Sequence, residues 1–222
     1  MKDNKLVTVI EKIVPRYGIL PVIFVFAYNL VTYYGTRIFN LGFDFRDVCI
    51  GLDGEIPLFT PFVLIYVLAF CEWVFGYVMI ARESHDLCYQ IIPAEIIAKT
   101  ICLIIFILYP TTMIRPEITG TGIFDWILGF IYSVDIPTNL LPSIHVLESY
   151  LIARASLSMN KVSKAYKIFV WIFFVLVAMA VLFVKQHVVL DIIAALIVAE
   201  LGIFLSKGLK LGNKHEKYLE KK

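Results

Sequence analysis

The sequence predicts an all-α integral membrane protein: a bundle of six transmembrane helices with an interfacial helix before the fourth. Two observations predict it. Of the 222 residues, 60% are hydrophobic, where a soluble domain has about 45–50%, and the mean hydropathy is +0.83. These apolar residues are gathered into runs close to the roughly 20 residues that one span requires, separated by short polar stretches. The length suits one domain, and no linker, low-complexity tract or repeat divides it. The expected organisation is an amphipathic N-terminal segment (1–16), a six-span domain (17–206, its motif-bearing part about 95–200) and a basic tail (207–222).

The elements follow in order. In residues 1–16, Val7, Ile10, Ile13 and Val14 form one stripe, and Lys2, Lys5, Lys12 and Arg16 supply charge. A basic start before an apolar run also fits a signal peptide. However, this run is too long and lacks a small-x-small cleavage site, so it reads as a retained first span, 17–39. The second span is 57–81 and the third 92–114. Glu95 and Lys99 in the third stand four apart and are expected to pair near a membrane face. Residues 122–134 are apolar but too short to cross, and Trp126, Phe130 and Tyr132 mark them as an interfacial helix. The fourth span (143–158) is short; the fifth is 166–184 and the sixth 188–205. Cys71 and Cys102 sit inside spans and read as small buried hydrophobes, since no cysteine spacing suits a metal.

Basic residues set the orientation, because cytoplasmic flanks are enriched in Lys and Arg. Counting polar segments from the N-terminus, the odd ones hold Lys2, Lys5, Lys12, Arg16, Arg82, Arg154, Lys161, Lys164, Lys167, Lys207 and the tail lysines. The even ones hold only Arg37, Arg46, Arg115 and Lys185. Both termini are therefore expected in the cytoplasm, and the loop carrying Asp44, Asp47, Asp53 and Glu55 outside. The net charge of +2 suits contact with anionic headgroups and gives no reason to expect a nucleic-acid partner.

Ionisable groups inside spans are costly and usually functional. Arg115, Ser143, His145, Lys185, His187 and Asp191 all fall at the outer ends of the third to sixth spans. His187 and Asp191 share one helical face, where the carboxylate would fix the imidazole tautomer and free the other ring nitrogen as nucleophile or base. A satisfied polar pair inside the bundle is the alternative. Pro142 suits a first helical turn, Ser143 a cap, and a helix N-terminus an anion. Arg115 offers a planar fork and Lys185 a point charge for phosphate, although each alone also fits a headgroup contact at the bilayer surface. Taken together, the set supplies the positioning and charge neutralisation that phosphoryl transfer needs.

At these residues the chain resembles the type 2 phosphatidic acid phosphatase superfamily, which also contains the vanadium haloperoxidases. Its middle motif, Pro-Ser-x-His, is matched by Pro142-Ser143-Ile144-His145; the end of its last motif, His-x-x-x-Asp, by His187 to Asp191; the end of its first, Arg-Pro, by Arg115-Pro116. The lysine usual seven residues before that arginine is Leu108 here, and the arginine usual six before the last histidine is Val181. Tyr109-Pro110-Thr111, Asn139 and Lys185-Gln186-His187 are instead similar to the branch of inositol phosphorylceramide synthases and sphingomyelin synthases. The resemblance implies His187 as nucleophile forming a phosphohistidine, Asp191 orienting it, and His145 as general acid and then base. It implies Arg115, Ser143 and Lys185 on phosphate oxygens, with Lys185 replacing the missing arginine and Asn139 shaping the loop or contacting substrate. It implies no metal and no cofactor, a lipid phosphate or pyrophosphate as substrate, and a site on the outer face of a plasma membrane, expected to be bacterial. Glu148 is expected to tune His145, Glu200 to be structural, and Asn29, Tyr33 and Tyr34 to bond between helices or belong to the aromatic belt. The other readings are a small transporter, which wants polar residues through the depth of several spans, and a silent lipid-binding relative. The sequence does not specify the lipid tail, the choice between hydrolase and transferase, or the oligomeric state.

Overall fold

Residues 10–36 and 44–209 are described by the structure, a computed structural model. Helix α1 (Arg16–Leu30) runs on through a π-helical turn, Val31–Gly35. The short α2 (Gly51–Glu55) follows, and then α3 (Val63–Glu83), entered through a 3₁₀ turn at Thr60–Phe62. The rest are α4 (His85–Leu108), α5 (Ile123–Val134), α6 (Ile144–Ser156), α7 (Lys164–Phe183) and α8 (Val189–Gly208). Two short strands, β1 (Arg46–Asp47) and β2 (Thr111–Thr112), pair in parallel, with Arg46 opposite Thr111.

Among the described residues, five helices are long and apolar enough to cross a membrane: Arg16–Gly35, Thr60–Glu83, His85–Leu108, Lys164–Phe183 and Val189–Gly208. They correspond to five of the six expected spans. The third starts earlier and ends sooner than the sequence suggests. The Ser84 hydroxyl caps it, accepting from Leu87 N at 3.1 Å, and Pro110 keeps Tyr109 out of helical geometry. The expected fourth span is α6, only 13 residues long. At 1.5 Å per residue it covers about 20 Å, short of a hydrocarbon core of about 30 Å. Pro142 precedes α6 instead of entering its first turn, because Ser143 is the cap. Of the N-terminal stripe, Val7 with Lys2 and Lys5 lies outside the described residues, as do Arg37 and most of the basic tail.

Helix α6 is enclosed by the other helices. It packs against α3, α4, α7 and α8, and Leu147, Leu151, Ile152 and Ala153 are fully buried. Close approach is built into its neighbours. A Cβ on Gly76 of α3 would lie 2.6 Å from Ile152, and one on Gly202 of α8 would lie 2.4 Å from the Ala94 carbonyl of α4, so these contacts require glycine.

A charged cluster is buried between α4 and α6. Lys99 Nζ lies 2.5 Å from Glu95 Oε1 and 2.8 Å from Glu148 Oε1, all three side chains being 0% exposed. The pair expected at a membrane face is thus inside the protein, and Glu148 engages Lys99 instead of tuning His145. Alongside, Glu72 Oε2 accepts from Ser149 Oγ at 2.9 Å, and Ser149 Oγ accepts from Trp73 Nε1 at 3.2 Å. Glu200 is structural: it accepts from Tyr150 OH at 2.6 Å and pairs with Arg154 Nε at 3.0 Å. Cys102 is buried as expected, but Cys71 is exposed on α3.

Candidate active site

Loops at one end of the bundle build the site, and strand β2 anchors them. Thr111 Oγ1 accepts from the N–H groups of Leu140 and Leu141 at 3.0 and 3.1 Å, and Thr112 Oγ1 donates to the Pro137 carbonyl at 2.6 Å. The segment before Arg115 is thereby joined to the one that leads into α6. Asn139, at φ 57°, adopts a left-handed conformation that asparagine tolerates. Its Nδ2 donates to Thr36 Oγ1 at 2.7 Å and the Tyr33 carbonyl at 3.1 Å. Asn139 therefore shapes the loop and ties it to the end of α1. Tyr33 acts between elements as expected, donating to Asp135 Oδ1 at 2.6 Å.

His187 lies in the turn between α7 and α8. Its Nδ1 is 3.1 Å from Asp191 Oδ2, which also accepts from Val188 N at 2.9 Å. One carboxylate oxygen thus caps the helix and orients the ring. His145, one residue inside α6, is held in an aromatic enclosure. Its ring stacks on Tyr66 with centroids 4.3 Å apart, and Trp73 and Phe70 lie at 4.9 and 5.2 Å. The two imidazole centroids are 6.3 Å apart, roughly twice the ~3–3.5 Å separation of reacting atoms. Both rings, with Arg115, Asn139, Gln186 and Asp135, line one cavity of about 250 Å³.

Arg115 is heavily committed. It donates from Nη1 to the Asp135 carbonyl at 2.5 Å, from Nη2 to Gln186 Oε1 at 2.5 Å and from Nε to the Lys185 carbonyl at 3.3 Å. Its guanidinium also lies 4.5 Å from the centre of the Tyr132 ring. Among the described residues, three of its five N–H donors bind the surrounding loops. Burial pulls its pKa below the usual arginine value, with Asp135 opposing.

Two expected phosphate ligands are elsewhere. Ser143 is fully buried outside the cavity wall, and its hydroxyl accepts from Val146 N at 3.4 Å. Lys185 faces a second cavity of about 650 Å³, bordered also by His187 and Asp53, and its Nζ donates to the Asp53 carbonyl at 2.8 Å. Sequence reasoning missed Asp53, Asp135 and Gln186. Gln186 had a signal, lying between Lys185 and His187. Asp53 had none, as its partner Val189 is 136 residues away. Among the described residues, no three His, Cys, Asp or Glu side chains converge as metal ligands would. No family model matches the chain, and neither does any curated protein or solved structure.

Proposed function

We propose that the protein is a membrane lipid phosphatase or phosphotransferase, of the type 2 phosphatidic acid phosphatase kind, working through a phosphohistidine on His187. One observation carries the reading: two histidines from distant parts of the chain lie with ring centres 6.3 Å apart in a cavity that is also lined by the half-buried Arg115. The rim supports a lipid substrate. Leu30, Tyr34, Val67 and Phe70, on α1, its π turn and α3, line the cavity and are 59%, 54%, 41% and 47% exposed, so an acyl chain can remain in the bilayer.

In this mechanism Asp191 holds the Nδ1 proton and leaves the Nε2 lone pair of His187 to attack phosphorus. The bond to the leaving oxygen breaks, and His145 donates that oxygen a proton. An acceptor hydroxyl then attacks the phosphohistidine, giving its proton to His145 and releasing His187. Water as acceptor yields phosphate; a lipid alcohol yields a transferred headgroup. Charge on the phosphoryl oxygens meets the Arg115 guanidinium and the backbone N–H groups of Ile144 and His145, which open α6. In the same reading α6 is the short fourth of six crossings, α5 lies in the interface, and both chain ends lie in the cytoplasm with the site on the opposite side.

The test is purified protein in nanodiscs given a panel of lipid phosphates, with and without a diacylglycerol acceptor. His187→Ala is expected to lose activity by on the order of 10³ or more while remaining folded, and acid-labile phosphate is expected on His187 of the wild type. Vanadate is expected to inhibit and a chelator not to. Undiminished turnover by His187→Ala refutes the mechanism. Glu72, Glu95, Lys99 and Glu148, deep in the bundle, favour the transporter reading. Solute uptake into vesicles that survives His187→Ala would select it.

A further inference from the structure

The turn that carries His187 is held from several sides. Tyr132 OH donates to the Val184 carbonyl at 2.8 Å and Arg115 Nε to the Lys185 carbonyl at 3.3 Å. The N–H groups of Gln186 and His187 both donate to the Val181 carbonyl, at 2.9 and 3.1 Å. Lys185 has φ 50°, a left-handed conformation that a lysine holds only when its surroundings enforce it. Beyond His187, α8 must begin at a fixed point if Asp191 is to reach back to the imidazole.

The remaining restraint comes from the loop before α3. Asp53 is 8% exposed, and its two carboxylate oxygens do different work. Oδ2 accepts from Ile50 N at 2.8 Å, closing the loop on itself; Oδ1 accepts from Val189 N at 2.8 Å. The Asp53 carbonyl accepts from Lys185 Nζ at 2.8 Å. One residue therefore grips the His187 turn on both sides, at Lys185 and at Val189. The first two N–H groups of the α8 end are divided between two carboxylates, Asp191 taking Val188 and Asp53 taking Val189.

We propose that Asp53 is a positioning residue for His187: it fixes the start of α8 so that the His187–Asp191 contact is made and Nε2 is aimed at the substrate. This rests on the phosphohistidine reading above. Asp53 does not line the cavity that holds His145; it borders the second cavity beside Lys185 and His187, and its bonds to Lys185 and Val189 act on the turn. A misplacement of about 1 Å at a reacting group can cost on the order of 10² in rate.

The experiment compares Asp53→Ala and Asp53→Asn in nanodiscs, in two arms. The first is hydrogen exchange of peptides covering 186–192, with the rate of His187 modification by diethylpyrocarbonate. The second is steady-state turnover of whichever lipid phosphate the wild type accepts. In Asp53→Ala, exchange at 186–192 and His187 modification are expected to speed up while peptides of α4 and α6 stay at wild-type rates. In the same variant kcat is expected to fall about 10- to 100-fold with KM nearly unchanged. Asp53→Asn keeps an acceptor for Val189 N–H and is expected to restore most of both. Unchanged exchange at 186–192 in Asp53→Ala overturns the proposal. So does faster exchange throughout α4 and α6, which would mark general destabilisation, or an unchanged kcat. If the wild type turns over no lipid phosphate, the functional reading fails, and the exchange arm alone still decides whether Asp53 positions His187.

Discussion

Replacing Lys99 with methionine would remove the only ammonium from a cluster in which Glu95 and Glu148 are 0% exposed. Both lysine contacts, at 2.5 and 2.8 Å, disappear together, and so does the bond from Nζ to the Val25 carbonyl of α1 at 3.4 Å. Two carboxyl groups are then left without a counter-charge among apolar side chains. Keeping their charge there carries a high desolvation cost. Breaking a buried pair in this way costs about 3–5 kcal/mol. At about 1.4 kcal/mol per factor of ten, that is roughly 10²- to 4 × 10³-fold in the folding equilibrium. The assay is reversible unfolding in mixed micelles followed by circular dichroism. The informative comparison is the triple variant Lys99→Met/Glu95→Gln/Glu148→Gln, which removes the stranded charge at nearly constant volume. It is expected to recover most of the loss, since a neutral replacement of a buried ion cluster is often close to neutral in stability. A loss under about 1 kcal/mol in Lys99→Met would refute the reasoning. A triple variant as unstable as the single would place the cost in the packing of the lysine stem instead of its charge.

Ser143→Ala is expected to cost about 0.5–1 kcal/mol of stability, as removal of a helix cap does, with turnover little changed because the hydroxyl lies outside the cavity; a 10²-fold loss of kcat at unaltered stability would return Ser143 to the phosphate. Cys49 is exposed, yet burial of its sulfur and the carboxylate of Asp47 push its thiol up to about 12 from an ordinary value of 9.0. At pH 8 its alkylation, read by mass spectrometry, is therefore expected to be roughly 10³ times slower than that of an ordinary thiol, rising tenfold per pH unit; rapid labelling at neutral pH would contradict this.

The spans and the convergence of the motifs were legible in the sequence for separate reasons. A lipid-facing helix must be apolar over its whole length, so α3, α4, α7 and α8 are each marked by composition alone. Helix α6 is not, because protein surrounds it. Its burial admits Glu148, Ser149 and Ser156, which lower its apolar content, and its 13 residues answer to packing instead of bilayer thickness. The partner of Glu148 was illegible for the same reason. Spacing from His145 suggested a shared role, but the nearer charge in space is Lys99 on α4, which no local pattern joins to α6.

The length of α6 also explains why the rest of the site escaped a reading of the sequence. Glu148, in its second turn, meets Lys99 nine residues before the end of α4, a depth of about 13 Å along a helix. His145, three residues earlier, therefore lies below the end of α4 instead of at the surface. A recessed site needs a roof, and loops must make it. Thr111 binds the 109–116 loop to the approach to α6, Asn139 binds that approach to the end of the first helix, and Asp53 binds the loop before α3 to the start of α8. Each residue joins segments that are remote in sequence, and each makes at least one bond to a backbone group, which carries no side-chain signature. The histidines stand in sequence patterns that single them out, whereas the residues packed around them are joined by geometry that exists only once the chain has folded.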